Sequence, residues 1–251
     1  MAVNLFGLIT KLGLRRVPLF NRVFLVSYDI YKRYVEAGPI DRLQEFVPHG
    51  SVVVDVGANV GFFSLRFARW VGAEGKVIAI EPEQQNCDNL IGALGREQLL
   101  DRVDVVKAVA AAESGTTFLE INPLHPADHK LSRDGIGVVV DAVTIDALLR
   151  EYGNLSPSLI KIDVQGAEML VLQGAASLLK SARPALFVEL HEEGLKRFGT
   201  SVAAILAHLS DYGYEPHWLM RSGSHAKADT DQIHAKVARI GYVDVLFLKR
   251  S

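Results

Sequence analysis

Glycines and acidic residues follow the first two apolar runs of the sequence, in a pattern that suits a small ligand. Segment 55–61 has the sequence D-V-G-A-N-V-G at the end of the first run, and Glu81-Pro82 ends the second run about 20 residues later. Glycines allow the backbone to turn tightly and to approach a ligand closely. A carboxylate at the position of Glu81 can accept hydrogen bonds from both hydroxyls of a ribose. The pattern therefore predicts a cofactor that contains a ribose.

Two classes of cofactor fit this pattern. A dinucleotide normally requires the sequence G-x-G-x-x-G, which places its pyrophosphate at a helix N-terminus. This loop has the sequence G-A-N-V-G directly after Asp55, and an anionic pyrophosphate gains little beside that carboxylate. S-adenosylmethionine has no phosphate and carries a sulfonium and an ammonium group, so an acidic turn suits it better. The residues favour S-adenosylmethionine, with a dinucleotide-dependent oxidoreductase as the alternative.

Charged residues also occur near the ends of two later apolar runs. Lys161 and Asp163 share one face of the first of these runs, and Glu189 and His191 share one face of the second, because side chains alternate along a strand. A buried charge is costly unless it is paired, so we expect these groups to face one another or a ligand. Glu168 follows at the start of a helix, near its positive end. Some of these residues could instead form ion pairs that only shape the cleft.

Apolar runs that alternate with helical stretches must position these residues. Runs of four to eight mostly β-branched residues predict strands that are covered on both faces, and the helices between them imply a parallel sheet. Parallel sheets of this kind bind ligands outside the carboxyl ends of their strands. The predicted strands are 52–56, 77–80, 103–110, 159–164 and 185–191, and the predicted helices are 62–71, 86–94, 167–180 and 201–212.

Two further regions depart from this alternation. Strands are predicted at 217–220 and 242–248, joined by a polar stretch, and we interpret them as a terminal pair that includes one antiparallel strand. Between 116 and 143 the helical period is lost, which predicts a hairpin with a long polar tip at 122–137. The expected architecture is an α/β, doubly wound, mostly parallel sheet.

Composition excludes several classes of protein. The chain has 251 residues, 49% of them hydrophobic, and a formal net charge of −2 with a single cysteine, Cys87. An apolar content this high excludes a disordered chain, and one cysteine excludes a scaffold held by disulfides. The balanced charge argues against nucleic acid as a partner. No charge-free run is long enough for a transmembrane helix.

The first 34 residues differ from the rest, because six basic residues and one acidic residue are interleaved with apolar ones. The basic residues come after the first apolar positions, which argues against a signal peptide and favours a cytoplasmic location. The segment is either a basic amphipathic helix that contacts the inner face of a membrane or a helical cap on the domain. Contact with a membrane also raises the alternative of a non-catalytic scaffold.

The motifs together resemble the FkbM family of S-adenosylmethionine-dependent methyltransferases. The matching segments are 55–61, 81–82, 143–148, 161–168 and 171–175, and K-I-D-V-Q-G-A-E at 161–168 is the most distinctive. The resemblance implies a class I methyltransferase fold, which is Rossmann-like, with seven strands of which the last is antiparallel. We therefore expect a methyltransferase domain over residues 41–251, preceded by a basic helical extension over residues 1–40.

The resemblance also implies a cofactor site and a reaction. The expected reaction is O-methylation of a hydroxyl on a sugar, glycolipid or polyketide-type metabolite. Glu81 would hold the ribose, Asp163 would face the reacting end, and two residues after the third strand would border the adenine. The residues implied for the cofactor are Asp55, Gly57, Ala58, Asn59, Gly61, Phe62, Glu81, Pro82, Ala108, Val109 and Asp163.

Methyl transfer to a hydroxyl needs a group that removes the proton of a weakly nucleophilic oxygen, which contributes about 10²–10⁴-fold to the rate. The candidate catalytic residues are Asp163, His129, His191 and Glu168. His129 lies in a polar stretch, 124–130, that is typical of a lid or binding loop but equally of an exposed loop. A divalent metal held by Asp163, Glu189 and His191 is an alternative, although a metal is not expected. The oligomeric state stays open.

Overall fold

A computed structural model describes residues 40–121, 130–132, 134–220 and 225–250. The predictions for residues 1–34 and for His129 lie outside the described residues. The elements below belong to the unit formed by residues 43–251, except for the first two residues of a 3-10 helix, Asp41–Phe46. The domain boundary predicted at residue 40 stays a prediction.

Strands and helices alternate along most of the described chain. The strands are β1 Val52–Val56, β2 Lys76–Ile80, β3 Val103–Val106, β4 Val109–Ala110, β5 Gly115–Glu120, β6 Lys130–Leu131, β7 Val138–Val143, β8 Leu159–Ile162, β9 Ala185–His191, β10 Tyr214–Leu219, β11 His225–Lys227 and β12 Tyr242–Lys249. The α-helices are α1 Phe62–Val71, α2 Gln84–Arg96, α3 Ile145–Glu151, α4 Glu168–Gln173, α5 Ala176–Ser181, α6 Glu192–Arg197, α7 Val202–Asp211 and α8 Thr230–Ile240.

The main sheet is mixed and has the strand order β11-β10-β12-β9-β8-β1-β2-β3. Strands β3, β2, β1, β8 and β9 are parallel, and β12 is antiparallel to both of its neighbours, β9 and β10. The predicted α/β fold with one reversed terminal strand is therefore confirmed. The strand order reverses between β1 and β8, because β2 and β3 follow on one side of β1 and β8 and β9 on the other, and the carboxyl ends of β1, β2 and β8 lie beside one another.

The predicted count of seven strands is wrong, because β11 adds an eighth described strand at the edge of the sheet. Its three residues are all exposed, so no alternation of apolar and polar residues marks it in the sequence. Helix α8 was likewise missed in the stretch predicted to be a polar connection. It buries only Ile233 and Val237, although Asp229 caps its N-terminus.

A smaller sheet with the order β4-β7-β5-β6 contains the predicted hairpin. Strands β5 and β7 pair antiparallel, which confirms a hairpin in the 116–143 region. The single strand predicted over 103–110 is wrong, because it divides into β3 in the main sheet and β4 in the smaller one. The chain turns between them where the N–H of Ala108 donates to the carbonyl of Val106 at 3.0 Å.

The single helix predicted over 167–180 is also wrong, because it divides into α4 and α5 at Gly174. A Cβ at Gly174 would overlap the carbonyl oxygen of Ala111, so a side chain has no space there. Asp146 from α3 stabilises the break, because its carboxylate accepts from the N–H groups of Ser177 and Leu178 at 2.7 and 3.0 Å and thus caps α5.

One hydrophobic cluster covers one face of the main sheet, with Val54, Ile78, Ile160 and Val188 fully or almost fully buried. Residues on the opposite face of the same strands, such as Val53, Val77 and Leu159, are fully buried as well. Among the described residues, four charged ones are also buried in this domain, namely Asp55, Glu81, Lys161 and Glu168. All four lie near the carboxyl ends of β1, β2 and β8. Within the described part of the chain, no helix is long and apolar enough to cross a membrane.

Candidate active site

The turn after β1 forms the centre of the candidate site. The N–H groups of Gly57 and Ala58 both donate to the carbonyl of Ile80 at the end of β2, at 3.0 and 3.1 Å. Gly57 has a φ of +76°, and a Cβ there would overlap the carbonyl oxygen of Asp163. Only glycine fits this position, because the turn runs directly against the end of β8.

The second half of the turn leads into α1. Asn59 adopts the left-handed region with a φ of +49°, and its side-chain oxygen accepts from the N–H of Val60 at 2.7 Å. Gly61, with a φ of +98°, caps α1 directly before Phe62, and a Cβ there would press on Leu90 of α2. The two glycines and Asn59 therefore supply the positive φ angles that this turn needs.

Glu81, at the end of β2, is held by three donors. Its Oε2 accepts from the N–H of Asn59 at 2.9 Å, and its Oε1 accepts from the N–H of Glu83 at 3.1 Å. The side-chain amide of Asn86 also donates to Oε1, at 3.2 Å. These bonds fix the carboxylate against the glycine turn, where the sequence predicts the ribose. Sequence reasoning missed Asn86, although it lies only five residues after Glu81.

Two neighbours of Glu81 complete this corner of the site. Pro82 follows it and is partly exposed, while Cys87 is buried and donates its Sγ–H to the carbonyl oxygen of Glu81 at 3.2 Å. Burial, followed by the negative charge of Glu81, raises the pKa of the Cys87 thiol to about 11. Cys87 is therefore a protonated thiol that packs beneath the site.

Asp55 lies beneath the turn and is completely buried. Its Oδ2 accepts from the hydroxyl of Ser64 in α1 at 2.6 Å, and its Oδ1 lies 3.4 Å from the ammonium nitrogen of Lys161. The carboxylate thus links β1 to α1 and β8. Ser64 was missed in the sequence, because nothing distinguishes one buried serine in an apolar helix.

Gln165 joins the ends of β8 and β9. Its amide nitrogen donates to Oδ1 of Asp163 and to Oε2 of Glu189, each at 3.2 Å. The Asp163 side chain is 21% exposed, and Glu189 is likewise partly exposed. The structure therefore brings Asp163 together with Glu189, as the sequence predicted, and adds an amide between them.

Glu168 lies beneath the 164–166 loop, where it is fully buried. Its Oε1 accepts from the N–H groups of Val164 and Gly166 at 3.3 and 3.0 Å, and its Oε2 has no hydrogen-bond partner among the described residues. Burial raises the pKa of Glu168 to about 7, an effect that the backbone hydrogen bonds oppose and the charge of Asp163 assists. The group therefore holds the loop that presents Gln165.

The remaining predicted residues lie at the borders of this cluster. His191 ends β9 and precedes α6, close to Gly194, which packs against Gly166. Ala108 and Val109, predicted to border an adenine, are buried where the chain leaves β3. No group of three or more histidine, cysteine, aspartate or glutamate side chains within the described ranges could hold a metal ion.

The mostly parallel sheet has the antiparallel strand β12 between β9 and β10 and carries the glycine turn and the carboxylates at its carboxyl edge. These features define a class I methyltransferase-like fold. The model of the methyltransferase FkbM domain matches residues 55–216, and the chain belongs to this family of S-adenosylmethionine-dependent methyltransferases. This membership decides against the alternative of a dinucleotide-dependent oxidoreductase.

Relatives and a solved structure agree with this assignment. Hexuronic acid methyltransferase AglP of Haloferax volcanii is 27% identical over 157 residues, or 62% of each chain. Methyltransferase 1 of Beauveria bassiana is 30% identical over 149 residues, which cover 51% of this chain and 59% of the relative. The chain thus spans about three fifths of these curated relatives. The crystal structure of methyltransferase FkbM from Methylobacillus flagellatus KT has a similar fold, with a TM-score of 0.52, 17% identity, and coverage of 79% of this chain and 43% of that chain.

Proposed function

We propose that this protein transfers the methyl group of S-adenosylmethionine to a hydroxyl of a sugar, glycolipid or polyketide-type metabolite. The observation that carries the proposal is the position of Glu81 and Asp163, one at the end of β2 and one after β8, on either side of the glycine turn. The two carboxylates are suited to hold the two ends of a single cofactor across that turn.

The residues at this edge fit S-adenosylmethionine. Glu81 is preorganised by three hydrogen bonds, so its carboxylate is oriented before a ribose binds. Asp163 is a partly exposed carboxylate, and a negative group suits the ammonium and sulfonium of the cofactor. A pyrophosphate would meet negative charge at both positions.

The bound cofactor would supply a methyl group on a positively charged sulfur. The protein must then orient the acceptor hydroxyl and remove its proton as the oxygen becomes nucleophilic. Asp163 and His191 are the described candidates for that base, because both lie at the carboxyl edge. The buried position of Glu168 supports a role in holding the loop, and His129 stays a predicted base outside the described residues.

The acceptor class rests on the relatives. One of them is a hexuronic acid methyltransferase, which supports a sugar as the acceptor, and the name of the other states no acceptor. Divalent metal assistance gains no support from the described residues. Peripheral contact with a membrane through residues 1–34 stays a prediction.

Mass spectrometry of metabolites tests the reaction. Extracts from cells that express the wild-type chain should contain a species about 14 Da heavier than its precursor, since one methyl group replaces a hydrogen. Cells that express Asp163→Asn should lack it, whereas Asp101→Asn, which changes an exposed carboxylate away from the site, should retain it. No methylated species in any extract would count against the proposed activity.

A further inference from the structure

Lys161 is a buried cation at the centre of the candidate site that the proposed reaction leaves without a role. It lies in β8 opposite Asp55 of β1, and only 4% of its side chain is exposed. Its ammonium lies 5.1 Å from the centre of the Phe63 ring, within the range of a cation–π contact. A charge in such a position is costly, and its retention calls for specific partners.

The ammonium of Lys161 binds the glycine turn directly. It donates to the carbonyl of Gly57 at 2.8 Å and to that of Val56 at 3.3 Å. The turn also contacts the end of β8 at the carbonyl of Asp163, where only glycine fits. Lys161 in β8 is therefore hydrogen-bonded to the glycine turn at the point where the turn packs against the end of β8.

Lys161 also lies between two carboxylates. Its nitrogen is 3.4 Å from Oδ1 of Asp55 and 3.7 Å from Oδ2 of Asp163. Asp55 is completely buried, whereas Asp163 is partly exposed at the edge where the cofactor is proposed to bind. The positive charge of Lys161 therefore acts on Asp163, the more exposed of these two carboxylates.

We propose that Lys161 is a positioning residue, which fixes the glycine turn through two backbone carbonyls and keeps Asp163 ionised for binding the amino end of the cofactor. This inference rests on the proposed function. Lys161 itself does not act as a base, because its ammonium is fully engaged by carbonyl and carboxylate oxygens. Lys161 affects binding of the cofactor indirectly, because it positions the glycine turn and keeps Asp163 charged.

The other groups around Asp163 differ in their effect. Asp55 on β1 and Glu189 on β9, the latter reached through Gln165, are carboxylates that favour the protonated form of Asp163, and Lys161 opposes them. Glu168 on α4 is protonated below its pKa of about 7 and adds no negative charge in the acidic range, and His191 at the end of β9 carries no negative charge. Removal of the lysine charge should therefore allow Asp163 to take up a proton at a higher pH.

The test measures the dissociation constant of S-adenosylhomocysteine by calorimetry from pH 4.5 to 8. Affinity for the wild type should fall at the acidic end, where Asp163 takes up a proton. In Lys161→Gln, which keeps a donor for the carbonyls but has no charge, this fall should begin about one pH unit higher. Lys161→Arg keeps the charge and should retain the wild-type profile.

Two controls separate this effect from a general loss of stability. Lys76→Met removes a lysine that pairs with Asp104 at the other end of the sheet, and its profile should not move. Asp163→Asn combined with Lys161→Gln should abolish the shift. If Lys161→Gln is too unstable to purify, the equally uncharged Lys161→Met takes its place in the same titration.

The outcomes distinguish the two claims. The role of Lys161 alone is overturned if the uncharged variants lose affinity for S-adenosylhomocysteine at the same acidic pH as the wild type. It is also overturned if the shift in that pH persists when Asp163 is replaced. If S-adenosylhomocysteine fails to bind the wild type at any pH, the proposed function is overturned together with this inference. A shift confined to the uncharged variants supports both.

Discussion

Substitution of Glu168 by glutamine should change how the stability of the protein depends on pH. Burial raises the pKa of this group from 4.5 to about 7, so the folded protein holds a proton that the unfolded chain releases. Between these two values stability falls as pH rises, because the folded state binds more protons than the unfolded state. At 1.36 kcal/mol per pKa unit, the loss is about 3 kcal/mol by pH 8.

Glu168→Gln removes this loss, because the amide does not ionise and its oxygen can still accept from the N–H groups of Val164 and Gly166. We expect the variant and the wild type to differ little at pH 5. At pH 8 the free energy of unfolding of the variant should be higher, relative to the wild type, by up to about 3 kcal/mol. Urea denaturation at pH 5, 6, 7 and 8 measures the two curves.

Glu192 offers a matched control, since its carboxylate also accepts a backbone N–H, that of Val202 at 2.9 Å, but its side chain is 31% exposed. The free energy of unfolding of Glu192→Gln should differ from that of the wild type by a constant amount between pH 5.5 and 8. Parallel curves for Glu168→Gln and the wild type over the same range would refute the reasoning about burial.

Three further substitutions test other parts of the account. Gly57→Ala should destabilise the protein by at least about 2 kcal/mol in urea denaturation, because its side chain meets the carbonyl of Asp163 and its φ is positive. Asp146→Ala should cost about 1 kcal/mol, since α5 loses its cap, with no change in calorimetric affinity for S-adenosylhomocysteine. His129→Ala should lower turnover while cofactor affinity stays within about threefold; equal losses in both would show a binding or folding residue.

Much of the parallel sheet could be predicted because its strands are apolar on both faces. Strands β1 and β9 and helix α1 have the predicted bounds, since apolar runs and glycines mark their ends. The breaks within 103–110 and 167–180 were missed. The second break involves Asp146, a residue distant in sequence whose carboxylate caps the second of the two helices.

Some residues of the candidate site could likewise be predicted from the sequence, and others could not. Glu81 and Asp163 stand at strand ends, so the fold prediction alone places them at one edge of the sheet. Asn86 and Gln165 were not predicted, because a neutral amide has no sequence signal until its carboxylate partners are known. The shared position of these residues depends on the packing of α2 and of the 164–166 loop against the sheet.

The central claim is that the carboxyl edge beside Glu81 binds S-adenosylmethionine, and calorimetry with S-adenosylhomocysteine tests it most directly. The wild type should bind this compound and not NADH. Glu81→Gln should weaken binding by about 10–100-fold, the loss expected for hydrogen bonds to a charged group. Glu74→Gln, which changes an exposed carboxylate at the other end of β2, should bind like the wild type. Equal affinity of Glu81→Gln and the wild type, or tight binding of NADH alone, would contradict the account.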